Sequence, residues 1–179
     1  MHRVIAIGFT VALSIVGFES LAAGDHDSGD DSLALYRPHE LSLDLFGTGS
    51  IGQQTINNLG SASSRDVRLG AGAGLNYFFT RHIGLGGEAY SENTDHCFID
   101  SSSLNVIGRL PIGDSGLAPY GFAGGGYQFD AIAQWFGNVG AGLEYRFCRN
   151  WGLFLDARYV FTGETKNYGL GRLGARFSF

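Results

Sequence analysis

An all-β fold, an eight-stranded antiparallel up-and-down transmembrane β-barrel, is what three features of this sequence predict. From Glu40 onward, apolar and polar residues alternate in eight successive segments, the period-two signature of strands with two unlike faces. Glycine is abundant at 29, proline scarce at 3, and aromatic residues reach 13%, a mixture that suits many strands and tight turns better than helices. Lysine is almost missing: Lys166 stands alone among 12 basic residues. A chain with so little of the usual surface cation has little ordinary aqueous surface. The mean hydropathy of +0.03 agrees, because the apolar residues are dispersed rather than gathered into long helical spans.

The elements follow in order. The start, "MHRVIAIGFTVALSIVGFESLAAGD", places Arg3 before an apolar stretch from Val4 to Phe18 and a small-x-small site at Ser20-Leu21-Ala22. This is the pattern of a secretory signal peptide over residues 1–22, too short for a membrane anchor. Its removal takes away Arg3 and Glu19 together, so the net charge stays at −5. That charge leaves no electrostatic footprint for nucleic acid. Residues 23–39 read as a flexible acidic periplasmic lead. Its Asp25, His26, Asp27, Asp30 and Asp31 lack the spacing of a Ca²⁺ loop and read as a solvated tail.

The barrel is expected over 40–179. Its strands are predicted at 40–48, 66–79, 82–91, 102–112, 117–128, 134–147, 151–162 and 168–179, most near the ten or so residues that a tilted membrane strand needs. "FTRHIG", "PIGDSG" and "FCRNWG" are tight turns; "TGSIGQQTINNLGSASSR", "SENTDHCFIDS", "FDAIA" and "TGETKN" are the longer links. Short turns at one rim and longer loops at the other fit a barrel with both termini on the periplasmic side. The second strand shows the two faces. Val67, Leu69, Ala71, Ala73, Leu75, Tyr77 and Phe79 share one parity; Arg68, Gly70, Gly72, Gly74, Asn76 and Phe78 share the other. The sixth, seventh and eighth strands repeat the pattern. The fifth, "LAPYGFAGGGYQFD", has no clear parity.

Alternation alone leaves open which face is inside. Glycines crowd the charged face, as a narrow lumen housing arginines requires. Aromatic residues gather at the expected periplasmic strand ends (Tyr77, Phe79, Tyr120, Tyr145, Phe147, Trp151, Phe177 and Phe179), where an interfacial girdle belongs. The charged face is therefore expected to point inward. It would hold Asp44, Arg68, Glu88, Arg109, Glu144, Arg146, Asp156, Arg158, Arg172 and Arg176. An eight-stranded barrel is filled by its own side chains, so these charges must pair, and the reading favours a structural core over a gated ion path.

The stretches "LNYFFTRHIGLGGEAY", "LAPYGFAGGGYQF", "GLEYRFCRNWGLFLDARYVF" and the ending "GARFSF" resemble the small outer-membrane β-barrels of the OmpA and OmpX type. The resemblance covers nearly all of the chain after the signal peptide. It implies export to the outer membrane of a Gram-negative-type bacterium, contact with outer-membrane lipids and lipopolysaccharide, and a monomer. It also implies that the terminal strand, with Phe177 and Phe179, is the signal read by the barrel-assembly machinery. The two-domain members carry a peptidoglycan-binding domain after the barrel; this sequence offers no such segment from which to carry that property over.

The same residues admit other functions. Some barrels of this size modify lipid A with a His, a Ser and an acidic residue at the outer rim. Here His96 has Ser91, Glu92, Asp95 and Asp100 near it, residue types that any polar loop contains. Cys97 beside His96 lacks further metal ligands. The expectation is thus a non-enzymatic barrel with a structural or surface-interaction role, no cofactor and no metal; a lipid A-modifying enzyme and a narrow pore are the alternatives. The sequence names no surface ligand. Cys97 and Cys148 fall at opposite rims, across an apolar band about 25 Å tall, and are expected to be free thiols.

Overall fold

The computed structural model describes residues 35–55, 63–92, 99–129, 133–163 and 167–179. Eight strands follow one another: β1 (Glu40–Thr55), β2 (Ser63–Phe78), β3 (Ile83–Glu92), β4 (Ser101–Arg109), β5 (Leu117–Gln128), β6 (Gln134–Arg146), β7 (Trp151–Thr162) and β8 (Tyr168–Ser178). Each pairs antiparallel with the next, and β8 returns to β1 to close the barrel, with Leu45 opposite Ala175 at the seam. Closure leaves no free edge around the wall, the condition for a sheet to cross a bilayer.

The faces are those expected from parity. Along β7, Gly152, Phe154, Asp156, Arg158 and Val160 are buried, while Leu153, Leu155, Ala157, Tyr159 and Phe161 are exposed. Leu155 is 60% exposed at mid-strand. The outside is apolar and the inside polar, the inverse of a soluble barrel.

Three strand details differ from the sequence expectation. β1 continues to Thr55 and β2 starts at Ser63, so "TGSIGQQT" is strand and not loop. The reason lies in pairing: β1 meets β8 only as far as Ile51, and β2 meets β3 only from Gly70. Beyond those points the hairpin extends past its neighbours, above the apolar band, where alternation is no longer required. β4 ends at Arg109 rather than at 112: Leu110 still donates to the Pro119 carbonyl at 2.9 Å, but Pro119 has no N–H to return the bond. β5 gains a parity that its Gly124-Gly125-Gly126 run conceals: Ala118, Tyr120 and Phe122 point inward.

Tyr120 therefore leaves the girdle. It is 6% exposed, inside the barrel. The other expected girdle residues Tyr77, Phe79, Tyr145, Phe147, Trp151 and Phe179 are on the outer face, with Phe177 partly covered by Trp151 and Phe179 at 4.7 Å. A second aromatic group marks the loop rim, where Tyr127 meets Phe129 and Trp135 and Tyr159 meets Phe161. Aromatic rings at two levels bracket the apolar band, as interfacial rings do.

Candidate functional site: the charged interior

The inward faces of β1, β3, β4, β6, β7 and β8 each supply one or two charged side chains, and strand tilt and register bring them together in two clusters. The cluster nearer the turn rim begins at Glu40. Its carboxylate accepts from Arg109 Nη1 at 2.9 Å and from Arg146 Nη1 and Nη2 at 2.7 and 2.6 Å. Arg146 Nε also donates to Glu144 at 2.6 Å. The other Glu144 oxygen accepts from Arg176 Nη1 at 2.5 Å. Arg176 then binds Asp44 through Nε and Nη2, both at 2.7 Å, a bidentate pair whose carboxylate also accepts from Asn76 at 2.8 Å. The fork of arginine suits such bidentate contacts, which is why the interior is built from arginine and not lysine.

The second cluster lies nearer the loop rim. Glu88 accepts from Arg158, from Arg172 and, at 2.8 Å, from Ser103. Arg172 continues to Asp156 through Nε at 2.8 Å and Nη2 at 2.7 Å, and the Tyr120 hydroxyl donates to the same carboxylate at 2.6 Å. Aromatic rings separate and line the two clusters. Arg172 lies 4.9 Å from the Phe46 ring, and Arg176 lies 5.2 Å from that of Phe154. Arg109 stacks over Phe78 at 3.6 Å. Each guanidinium thus meets carboxylates at its edge and an aromatic face on its flat side, a low-dielectric arrangement in which unpaired charges would be costly.

Of the ten charged residues expected inside, the structure brings Asp44, Glu88, Arg109, Glu144, Arg146, Asp156, Arg158, Arg172 and Arg176 into these clusters. Arg68 is not among them. It shares the inward parity but is exposed, on the part of β2 that has passed its last pairing with β3 at Gly70. The clusters also hold Glu40, outside the charge set expected from sequence. The signal was present, since Glu40 shares parity with Ser42 and Asp44.

Residues 35–39, placed by sequence in the lead, lie across the turn-rim mouth. Tyr36 is 6% exposed, and its hydroxyl donates to the Gly116 carbonyl at 2.7 Å. Its ring lies under Arg109 and Arg146 at 4.9 and 4.4 Å. Burial pushes its hydroxyl well above the ordinary phenol range, so it acts as a neutral donor.

At the loop rim, the Glu92 amide donates to Asp100 Oδ2 at 2.5 Å and Ser91 Oγ to the same atom at 3.3 Å. Asp100 so fixes the base of the β3–β4 connection. His96, Asp95 and Cys97 lie outside the described residues. Cys148 is an exposed free thiol in the β6–β7 turn. Among the described residues no group of three metal-ligating side chains converges.

A closed eight-stranded barrel with an apolar outside and a charged inside is a membrane-spanning β-barrel. Residues 41–178 match the family described as outer membrane protein beta-barrel domain, and this chain belongs to that family. Solved structures share the fold. The N-terminal β-barrel domain of Pseudomonas aeruginosa OprF is 21% identical, with TM-score 0.61 over 80% of this chain and 99% of that one. OprG of the same organism is 13% identical, with TM-score 0.56 over 80% and 97%. Ail, the attachment invasion locus protein of Yersinia pestis, is 15% identical, with TM-score 0.52 over 79% and 99%. These likenesses are of fold. No curated protein sequence matches the chain.

Proposed function

We propose that this protein is a non-enzymatic, monomeric outer-membrane barrel whose filled, charge-paired interior makes it a rigid membrane platform for a structural or surface-interaction role. The observation that carries this reading is the pairing inside. Arg109, Arg146, Arg158, Arg172 and Arg176 face Glu40, Asp44, Glu88, Glu144 and Asp156, with Phe46, Phe78, Phe122 and Phe154 packed among them. Opposite charges bridging the lumen, interleaved with rings, support a packed core and not a conduit. The same reading assigns residues 1–22 to a cleaved signal peptide. It also makes Phe177 and Phe179 the assembly signal, and outer-membrane lipids and lipopolysaccharide the surroundings of the exposed apolar wall.

Planar-bilayer recording of the refolded protein tests it. Silence, or rare small events, is expected from a filled barrel; stable large conductance would count against the packed core. Replacing His96 with Ala addresses enzymatic action at the loop rim. Lipid A from cells expressing that variant should be identical to lipid A from cells expressing the parent. A change in lipid A with the barrel still assembled would overturn the non-enzymatic reading.

A further inference from the structure

The five residues Leu35–His39 do not follow the wall of the barrel. They cross its mouth and are held from several sides. Arg146 Nη1 donates to the Leu35 carbonyl at 2.6 Å, and Arg109 Nη2 reaches the Arg37 carbonyl at 3.4 Å. Tyr36 supplies the anchor, its ring under two guanidiniums and its hydroxyl on Gly116. Gly116 belongs to the β4–β5 connection, 80 residues along the chain from Tyr36. The segment so ties the start of β1 to β4, to β6 and to that connection.

Two features oppose this docking. His39 holds φ at +54°, in the left-handed region that non-glycine residues rarely enter. The chain needs that conformation to turn from the mouth into β1. Arg37, next to the anchor, has two buried guanidinium nitrogens, Nε and Nη2, that find no acceptor in the protein. A buried unpartnered cationic donor is costly. Its amide is held only by a long bond, 3.4 Å, to Glu40 Oε2. Tyr36, the bonds to the Leu35 and Arg37 carbonyls and the contact of His39 Nδ1 with the Tyr77 hydroxyl at 3.1 Å favour the docked segment, while the unpartnered Arg37 nitrogens and the His39 backbone disfavour it. The strands that it covers are locked separately, by their own ladders and by the two charge clusters.

From this balance we infer that Leu35–His39 is a periplasmic latch that docks on and releases from the folded barrel, a local opening distinct from unfolding of the strands. Release frees the Arg37 guanidinium to water and bares Glu40, Arg109 and Arg146 at the mouth. The barrel itself stays closed, because nothing in the β1–β8 seam depends on Tyr36. The inference concerns the turn-rim mouth alone and is independent of whether the lumen conducts.

Hydrogen exchange of the full chain, refolded in detergent micelles and read by mass spectrometry, tests the latch. Peptides covering 35–40 are compared with peptides from the strands, each rate normalised to its intrinsic value. The latch amides are expected to exchange faster than the strand amides, at a rate that sub-denaturing urea leaves unchanged, as local opening does. Tyr36→Ala should raise latch exchange by about tenfold with the strands unaffected. Tyr36→Phe, which removes only the bond to Gly116, should fall between. Arg37→Ala should act in the opposite direction and slow exchange by about threefold or more, since the unpartnered donors are gone. Equal latch rates in Tyr36→Ala and the parent would overturn the inference. So would latch amides that exchange only together with the strands, or faster exchange in Arg37→Ala. Gel mobility with and without boiling shows for each variant that the barrel is folded.

Discussion

Glu40 holds Arg109 and Arg146 at once, with its side chain fully shielded from solvent. Removing one partner of such a cluster costs more than the cluster contributes, because the remaining charges stay buried. Glu40→Ala should destabilise the barrel by about 3–5 kcal/mol in a urea titration of the refolded protein. A change below 1 kcal/mol would show that water reaches the two guanidiniums. The lipid face has its own cost. Leu155→Arg places a charge at mid-strand and should lose about 2–4 kcal/mol. Inside, Gly72 leaves no room: a Cβ there would sit 2.6 Å from the Ala89 carbonyl and 2.7 Å from the Phe46 ring. Gly72→Leu should therefore cost at least the roughly 1–3 kcal/mol of ordinary overpacking. Asp114→Asn, in the exposed β4–β5 connection, should stay within about 0.5 kcal/mol. If the Asp114 variant ranked worst of the four in the same titration, the assignment of faces would be wrong.

Among the elements, β8 has two tasks. It closes the wall against β1, from Ser42 opposite Ser178 to Ile51 opposite Gly169. It also presents Phe177 and Phe179 on the outer face, stacked edge-to-face at 4.7 Å beside Trp151. The Phe179 amide donates to the Leu41 carbonyl at 2.8 Å, the last rung of the seam. Deleting Phe179 loses that rung and one ring contact, a small fraction of the ladder. Refolding in vitro should be close to that of the parent, while the amount reaching the outer membrane in cells falls several-fold. Quantifying both pools separates assembly from stability, and an unchanged outer-membrane level would remove the assembly-signal role. The β1–β2 hairpin shows the converse. Its outer part needs neither neighbour nor lipid, so it keeps strand geometry with a polar sequence.

For the whole molecule, topology fixes which groups are reachable from which side. The β2–β3, β4–β5 and β6–β7 connections and the latch lie at one rim, and the four remaining connections at the other. In the layout of outer-membrane barrels the first rim is periplasmic. Cys148, exposed in the β6–β7 turn, should react with a membrane-impermeant maleimide in opened membranes and not from outside intact cells. Peptide mapping locates the label. Modification of Cys148 in intact cells would invert the orientation. Gel mobility before and after boiling reports the closed barrel itself, since a folded barrel should migrate apart from the heated chain.

Much of this architecture is legible in the sequence because its code is local. Alternation with period two assigns faces one strand at a time, as in β2 and β7, and glycine on the charged parity tells which face is crowded. The missing lysine and the aromatic strand ends then set the apolar face toward lipid. Where local pattern is silent, only the closed sheet assigns a face. The Gly124–Gly126 run has no side chains to show parity, and Tyr120, an expected girdle residue, lies inside beside Asp156. Parity also cannot report height along the barrel: Arg68 shares the inward parity but is exposed, beyond the last pairing of β2 with β3. Partnership was decided only by closure. Glu40 and Arg109 are 69 residues apart, and Arg176 and Asp44 are 132 apart. No spacing rule links such residues; the tilt and register of eight paired strands bring them within hydrogen-bond distance. Tyr36 is the same case, an apparent tail residue that becomes a buried anchor because the closed mouth offers two guanidiniums and a carbonyl at the right height. Local alternation sets which way each side chain points, and the three-dimensional closure of the sheet sets what it meets.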